Sequence, residues 1–174
     1  MNLDCFGTLD LEDKTYLQQI VLSFEGMEVE RNTKARSKTP YPRSLDLETT
    51  LIPHFTKLGY KHHVSFTHPK IKKGYQFDFW HDKKLMAVEI LGYRADDEIY
   101  KDILKFHVHR STKIALMLIP RWKWISGKKE ARNYQETQKA LHFADSYMNV
   151  KCFVAVYYDW EESKEANNWK LRFT

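Results

Sequence analysis

Two continuous apolar runs constrain the fold of this chain more than any other feature. They are IALMLI at 114–119 and CFVAVYY at 152–158. A short run that is apolar at every position is typical of a strand covered on both faces, and such strands lie inside parallel sheets between layers of helix. We therefore expect an α/β domain with these two strands inside its sheet.

The other elements follow from apolar spacing and turn residues. Helical spacing appears at 10–26, 44–59, 95–110 and 134–148, with Ser44 as a candidate N-cap and a possible kink at Pro53. Short runs of aromatic and branched residues at 60–66, 74–80 and 84–91 predict three strands. The final strand-helix-strand order predicts parallel pairing through a right-handed crossover. The expected fold is a central mixed five-stranded sheet flanked by helices.

The length of 174 residues is typical of a single domain. Within it we distinguish an N-terminal helix and basic flexible loop at 1–43 from the main domain at 44–174.

The segment QFDFWHDKKLMAVEIL at 76–91 carries the candidate site. If Asp82 and Lys83 form a two-residue turn, Asp78 lies opposite Ala87 with Glu89 as its diagonal neighbour, and both carboxylates share one face. Two acids among apolar neighbours repel each other unless a cation compensates, and Mg²⁺ is a natural partner. The alternative is structural: Asp78 simply ends a strand, and Glu89 pairs with Lys or Arg at a sheet edge.

Asp78, a turn, MAVEIL with Glu89, a helix and then IALMLIP together resemble the core of the PD-(D/E)XK nucleases, especially the BamHI and BglII group of type II restriction endonucleases. The resemblance runs from about residue 47 to residue 160. It implies a restriction-endonuclease-like fold, hydrolysis of DNA phosphodiesters with Mg²⁺ or Mn²⁺, double-stranded DNA as partner, and a homodimer. Asp78, Glu89 and the carbonyl of Ile90 match the metal ligands.

The third motif position departs from the family pattern. The family has Lys, Glu or Gln there to help activate water, whereas this chain has Leu91, which can neither bind metal nor polarise water. In some relatives the lysine stands on a neighbouring element, so Lys101 or Lys105 on the following helix is a candidate. Glu48 occupies the region from which several family members contribute another acid near the metals. The alternative for all three is a solvated helix face.

Basic residues cluster in two segments. The chain has 28 Lys and Arg against 23 Asp and Glu, a modest excess that favours polyanionic partners without requiring them. The candidates for contact with DNA phosphates or bases are Arg31, Lys34, Arg36, Lys38, Arg43, Arg121, Trp122 and Lys123. A solvated linker and tryptophans that pack over the domain edge are the alternatives.

Other classes of site have little support. His62 and His63 should face opposite sides of a strand, and His107 and His109 should diverge on a helix, so zinc is not expected. Cys5 and Cys152 are the only cysteines, and no leader or membrane-spanning run is visible, which predicts a reducing, cytoplasmic location. Three hypotheses stay open: a metal-dependent endonuclease, an inactive nuclease-fold protein that binds nucleic acid or a protein partner, and an α/β module unrelated to nucleic acid.

Overall fold

The computed structural model describes residues 3–33, 40–68, 70, 72–92, 95–125, 128–130, 132–148 and 150–174. Four helices and ten strands lie in these ranges. The helices are α1 (Leu11–Phe24), α2 (Ser44–Lys57), α3 (Ala95–Val108) and α4 (Arg132–Tyr147). The strands are β1 (Asp4–Gly7), β2 (Glu28–Glu30), β3 (Lys61–Thr67), β4 (Gly74–His81), β5 (Met86–Ile90), β6 (Ile114–Pro120), β7 (Lys123–Ile125), β8 (Lys128–Glu130), β9 (Cys152–Glu162) and β10 (Asn168–Phe173).

One mixed sheet organises the molecule. Its strand order is β2-β10-β9-β6-β5-β4-β3, with β1 also paired to β9. Strands β5, β6 and β9 are parallel, joined by α3 and α4, and the remaining pairs are antiparallel. The predicted parallel pairing is confirmed, and so is the interior position of the 114–119 strand.

Helices cover both faces of the sheet. On one face α1 and α2 insert Leu17, Phe24, Leu47 and Phe55 into a core with alternate residues of β5, β6 and β9. On the other face α3 and α4 pack against the intervening residues of the same strands. Every residue of β5 and β6 is consequently buried, which explains the apolar run of β6.

The prediction of five strands was wrong, because three further strands, β1, β2 and β10, extend the sheet beyond β9, and a two-stranded ribbon of β7 and β8 lies apart from it. The first half of β9 pairs with β1 and its second half with β10, which in turn pairs with β2. Strands β1 and β2 have only four and three residues, too few for a visible pattern. Strand β10 did offer a signal, since Trp169, Leu171 and Phe173 alternate with polar residues.

Two local predictions also need correction. The turn between β4 and β5 spans Asp82 to Leu85 rather than two residues, so Trp80 and not Asp78 lies opposite Ala87. Leu85 adopts φ +51 at the end of this turn. The N-cap of α2 is Arg43 rather than Ser44: the Arg43 amide donates to the Asp46 carboxylate, and the Arg43 guanidinium pairs with the same carboxylate.

Candidate functional site

The side-chain alternation of β4 is interrupted at Asp78. Phe77 and Phe79 are two residues apart, yet they pack into cores on opposite faces of the sheet. In the neighbouring strand β3, His63 lies at the matching position and adopts φ +52, a left-handed conformation that is uncommon for residues other than glycine. Because of this irregularity, the side chain of Asp78 lies between β4 and β5 and belongs to neither hydrophobic core.

Asp78 lies in this gap as a half-buried carboxylate. Its Oδ2 accepts a hydrogen bond of 2.7 Å from the Ile90 amide, in place of a backbone carbonyl of β4. Burial raises the pKa of Asp78 to about 6, and the nearby charge of Glu48 contributes, although the bond from Ile90 and the charge of Lys105 oppose the shift. Burial makes the charged form of this carboxylate costly, and a bound cation would stabilise it.

Glu89 is the most buried acid of the site, at 3% exposure, and points toward α3. Its Oε2 lies 2.8 Å from Lys105 Nζ, while its Oε1 has no hydrogen-bond partner among the described residues. Burial raises the pKa of Glu89 well above its ordinary value, the charges of Asp102 and Asp78 raise it further, and Lys105 opposes them. An orphaned buried carboxylate oxygen is costly without a partner such as a cation.

Lys105 of α3 pairs with two acids, Glu89 of β5 and Asp102 one turn earlier on the same helix. Its ammonium contacts Glu89 at 2.8 Å and Asp102 at 2.7 Å, and donates to the Gln76 carbonyl. Burial favours a lower pKa for Lys105, but these two carboxylates outweigh it and raise the pKa. Lys105 is therefore a fixed positive charge beside Glu89 rather than part of a solvated face, whereas Lys101 is exposed. No motif or spacing in the sequence distinguishes Asp102 from the other acids of α3.

Negative charge exceeds positive charge at this place. The charges of Glu48 and Asp102 help to raise the pKa of Asp78, and the charges of Asp102 and Asp78 help to raise that of Glu89, while the ammonium of Lys105 opposes both shifts. Three of these carboxylates, Asp78, Glu89 and Asp102, lie near one ammonium in a partly buried setting, which fits a divalent cation with oxygen ligands. Asp78 and Glu89 are the residues able to hold one, and the amide of Ile90 fixes Asp78 in position.

Leu91 offers nothing to such an ion. It follows Glu89 by two residues, but its side chain is 1% exposed and packs with the α3 and α4 core. The backbone around it is also occupied: its amide donates to Leu118 and its carbonyl accepts from the Tyr158 hydroxyl. The third position of the motif is therefore part of the core, and the nearest positive group to Glu89 comes from α3 instead.

Glu48 and the two adjacent histidines form a second group of polar side chains. The prediction that His62 and His63 face opposite sides of the strand was wrong, because the left-handed backbone at His63 brings its ring onto that of His62, with centroids 3.7 Å apart. Both Nε2 atoms lie within hydrogen-bond distance of Glu48 Oε1, at 2.7 and 2.6 Å. Glu48 is buried rather than an exposed helix charge. The backbone φ of His63 decides whether the two rings diverge or meet at Glu48, and this value cannot be read from the sequence.

The basic residues predicted in the first segment lie apart from one another. Lys34, Arg36 and Lys38 fall outside the described residues. Arg31 follows β2 at the edge of the sheet opposite β3, and Arg43 is engaged in capping α2 through Asp46. Of this segment, the structure brings neither Arg31 nor Arg43 into hydrogen-bond contact with Asp78 or Glu89.

The second basic segment lies at the same end of the sheet as Glu89. Arg121 and Trp122 directly follow β6, as Glu89 lies near the end of the parallel strand β5. The Trp122 indole donates to Asp159 at 2.8 Å, Lys129 pairs with the same carboxylate, and the guanidinium of Arg121 lies 5.6 Å from the indole ring. Lys123 begins β7. Ligands of open α/β sheets bind at this carboxyl end of the strands.

Comparison with known proteins places the fold. The chain is similar to restriction endonuclease BglII in a crystal structure of that enzyme complexed with a DNA 16-mer, at a TM-score of 0.53 and 12% identity, over 99% of this chain and 91% of that one. The chain has a restriction-endonuclease-like fold. No protein-family model and no curated protein sequence matches it significantly. Among the described residues, no helix is long and apolar enough to cross a bilayer.

Proposed function

We propose that this protein is a metal-dependent DNA endonuclease whose site is formed by Asp78, Glu89 and Lys105. The observation that carries the proposal is the buried Glu89 carboxylate, which has one oxygen paired with Lys105 and the other without a partner among the described residues. The restriction-endonuclease-like fold supports the proposal. The motif resemblance supports it as well, because it assigns metal binding to Asp78 and Glu89.

Each residue has a distinct role in this proposal. Asp78 and Glu89 would hold Mg²⁺ or Mn²⁺, with the carbonyl of Ile90 as a backbone ligand. When bound, the ion would lower the pKa of a water molecule and neutralise charge on the scissile phosphate. Asp102 orients the Lys105 ammonium beside Glu89, where it can attract a phosphate oxygen and orient a water molecule. Lys105 thus takes the place of the missing third motif residue.

DNA would approach the carboxyl ends of the parallel strands. Arg121 is exposed there and would contact phosphates, and the Trp122 indole, held in position by Asp159, would contact bases. The BglII structure contains DNA, which makes a duplex the substrate to test first. The homodimer implied by the resemblance stays a prediction, as do the contributions of Lys101 and Glu48 to catalysis.

The experiment is cleavage of supercoiled plasmid and of genomic DNA in Mg²⁺ or Mn²⁺. We expect nicked or linear products that disappear with EDTA and in the Asp78→Asn and Glu89→Gln variants. Asp82→Asn is the matched control, because Asp82 lies on the same hairpin but is exposed and paired with Lys61. The control should cut as the unchanged protein does. Equal cutting by all three variants would refute the assignment of the site.

The second candidate is a nuclease-fold protein that binds DNA without cutting it. Leu91 favours it, because a buried aliphatic side chain stands where the family has a group that activates water. Salt-sensitive DNA binding without cleavage under any divalent ion would support this function. Binding that is weak and insensitive to salt would instead favour a module unrelated to nucleic acid.

A further inference from the structure

We propose that Glu48, His62 and His63 form a second metal site, selective for a divalent transition-metal ion such as Zn²⁺ and separate from the Asp78 and Glu89 pair. Their ligand atoms all lie within 4.8 Å of one another. The proposal does not depend on nuclease activity, since it concerns different ligands and a different class of ion.

Ligand chemistry points to a transition metal. Two imidazole nitrogens and one carboxylate oxygen suit Zn²⁺, Fe²⁺, Co²⁺ or Ni²⁺, whereas Mg²⁺ prefers oxygen ligands and bound water. Three protein ligands of this type also leave a fourth position for water or substrate. The site is therefore chemically distinct from the all-oxygen ligands that Asp78 and Glu89 provide.

The geometry needs only a small adjustment to accept an ion. The Nε2 atoms of His62 and His63 approach Glu48 Oε1 to 2.7 and 2.6 Å. Ligands about 2.0–2.1 Å from a tetrahedral zinc ion lie about 3.3 Å apart, so each contact would open by well under an ångström. Side-chain rotation can supply that movement without a change in the backbone.

The surroundings of Glu48 also favour a cation. Glu48 is 8% exposed, and among the described residues its hydrogen bonds come from the two imidazoles, with no Lys or Arg paired to it. The two rings stack with centroids 3.7 Å apart and direct both Nε2 atoms at the same carboxylate oxygen, and imidazole nitrogens are common ligands of transition metals. A divalent ion between the three side chains would satisfy the carboxylate and both rings at once.

An ion can reach the site from solvent, and the backbone holds the ligands in place. The His63 side chain is 46% exposed, and α2 presents Glu48 from the helical layer above β3. The left-handed φ of His63 is what directs both adjacent rings toward one carboxylate. Backbone strain of this kind is often found where a side chain must be aimed at a ligand.

The test is Zn²⁺ binding by the metal-free full chain, measured without DNA by competition with a chromophoric chelator. We expect one tight equivalent in the unchanged protein. His62→Gln and His63→Gln keep a hydrogen-bond donor for Glu48 but remove a ligand, so each should weaken binding by at least about tenfold, the loss caused even by outer ligand partners. His142→Gln, in an exposed residue of α4, is the matched control and should bind as the unchanged protein does.

Co²⁺ absorption gives an independent readout of the ligands. We expect an imidazole-dependent visible spectrum that both variants lose and that Glu89→Gln retains, which separates this site from the nuclease site. Thermal unfolding checks that the variants fold, and the exposed position of His63 makes His63→Gln the safer of the two. The absence of tight Zn²⁺ binding, or tight binding unchanged in both histidine variants, would overturn the proposal and leave the two imidazoles as hydrogen-bond partners of Glu48.

Discussion

The raised pKa of Asp78 makes an unusual prediction for Asp78→Asn: in metal-free protein the variant should gain stability relative to the unchanged chain as the pH rises. The amide can still accept the hydrogen bond from Ile90, but it carries no charge into the gap between β4 and β5. Replacement of an acid at a proposed active site should therefore stabilise the fold while it removes the proposed function.

The magnitude follows from proton linkage. The folded pKa of about 6 lies above the ordinary value of 3.8, so the folded state binds this proton more tightly than the unfolded state does. The contribution of Asp78 to stability is therefore fully present below about pH 4, is lost as the pH rises to about 6, and stays lost above that. A factor of ten in proton affinity is worth about 1.4 kcal/mol, so the loss is at most about 3 kcal/mol.

The assay is urea unfolding of both proteins at about pH 4 and pH 7.5 in metal-free buffer. The difference in unfolding free energy between variant and unchanged protein should move in favour of Asp78→Asn by up to about 3 kcal/mol at the higher pH. Comparison of the two proteins cancels the titrating groups that Asp78 does not influence; Glu89 is not among them, because the charge of Asp78 helps to raise its pKa. Saturating Mg²⁺ should stabilise the unchanged protein more than the variant. Parallel pH dependences for the two proteins would refute a raised pKa at Asp78.

Three further predictions concern other parts of the molecule. Lys105→Met leaves Glu89 and Asp102 without their shared ammonium and should lower the free energy of unfolding by up to about 3–5 kcal/mol in metal-free urea. Lys101→Met is the exposed control, and an equal, small loss of stability in both variants would contradict the pairing. Gly7→Ala should lower the free energy of unfolding by at least about 1–2 kcal/mol, because φ is +96 and the new Cβ would meet the carbonyl of Lys151. Gly74→Ala has open space around the new Cβ and should leave stability nearly unchanged in the same urea unfolding assay. Arg121→Ala should lower the salt slope of DNA affinity by about 1, whereas Lys151→Ala, at the other end of β9, should leave it unchanged; identical slopes would remove Arg121 from the DNA-binding surface.

The sequence predicted the layered fold well where burial dictates a pattern. The runs of β6 and β9 and the spacing of α2, α3 and α4 reflect contact with the core, so each element appears near its expected position. Strands such as β1 and β2 have one buried residue or none, and their existence depends on pairing partners distant in sequence. Length and pairing register are therefore harder to predict than the central elements.

The candidate site was only partly visible in the sequence. Asp78, Glu89 and Lys105 could be named because a motif and a helix place them, but the roles of Asp102, His62 and His63 depend on tertiary contacts. The four-residue turn and the left-handed backbone at His63 changed the expected register and the direction of one ring. Both are features of the backbone, and no residue type at these positions requires them, so they could not be predicted from a single sequence.

The long strand β9 has a consequence for how this protein can fail. Its apolar first half is covered along one side by β1 and its second half by β10, so two short segments from opposite ends of the described chain share one edge. Loss of either cover exposes a row of unpaired amides and carbonyls on a hydrophobic strand, which is a template for pairing with another copy. Detachment of β1 or of β10 would therefore favour aggregation through β9.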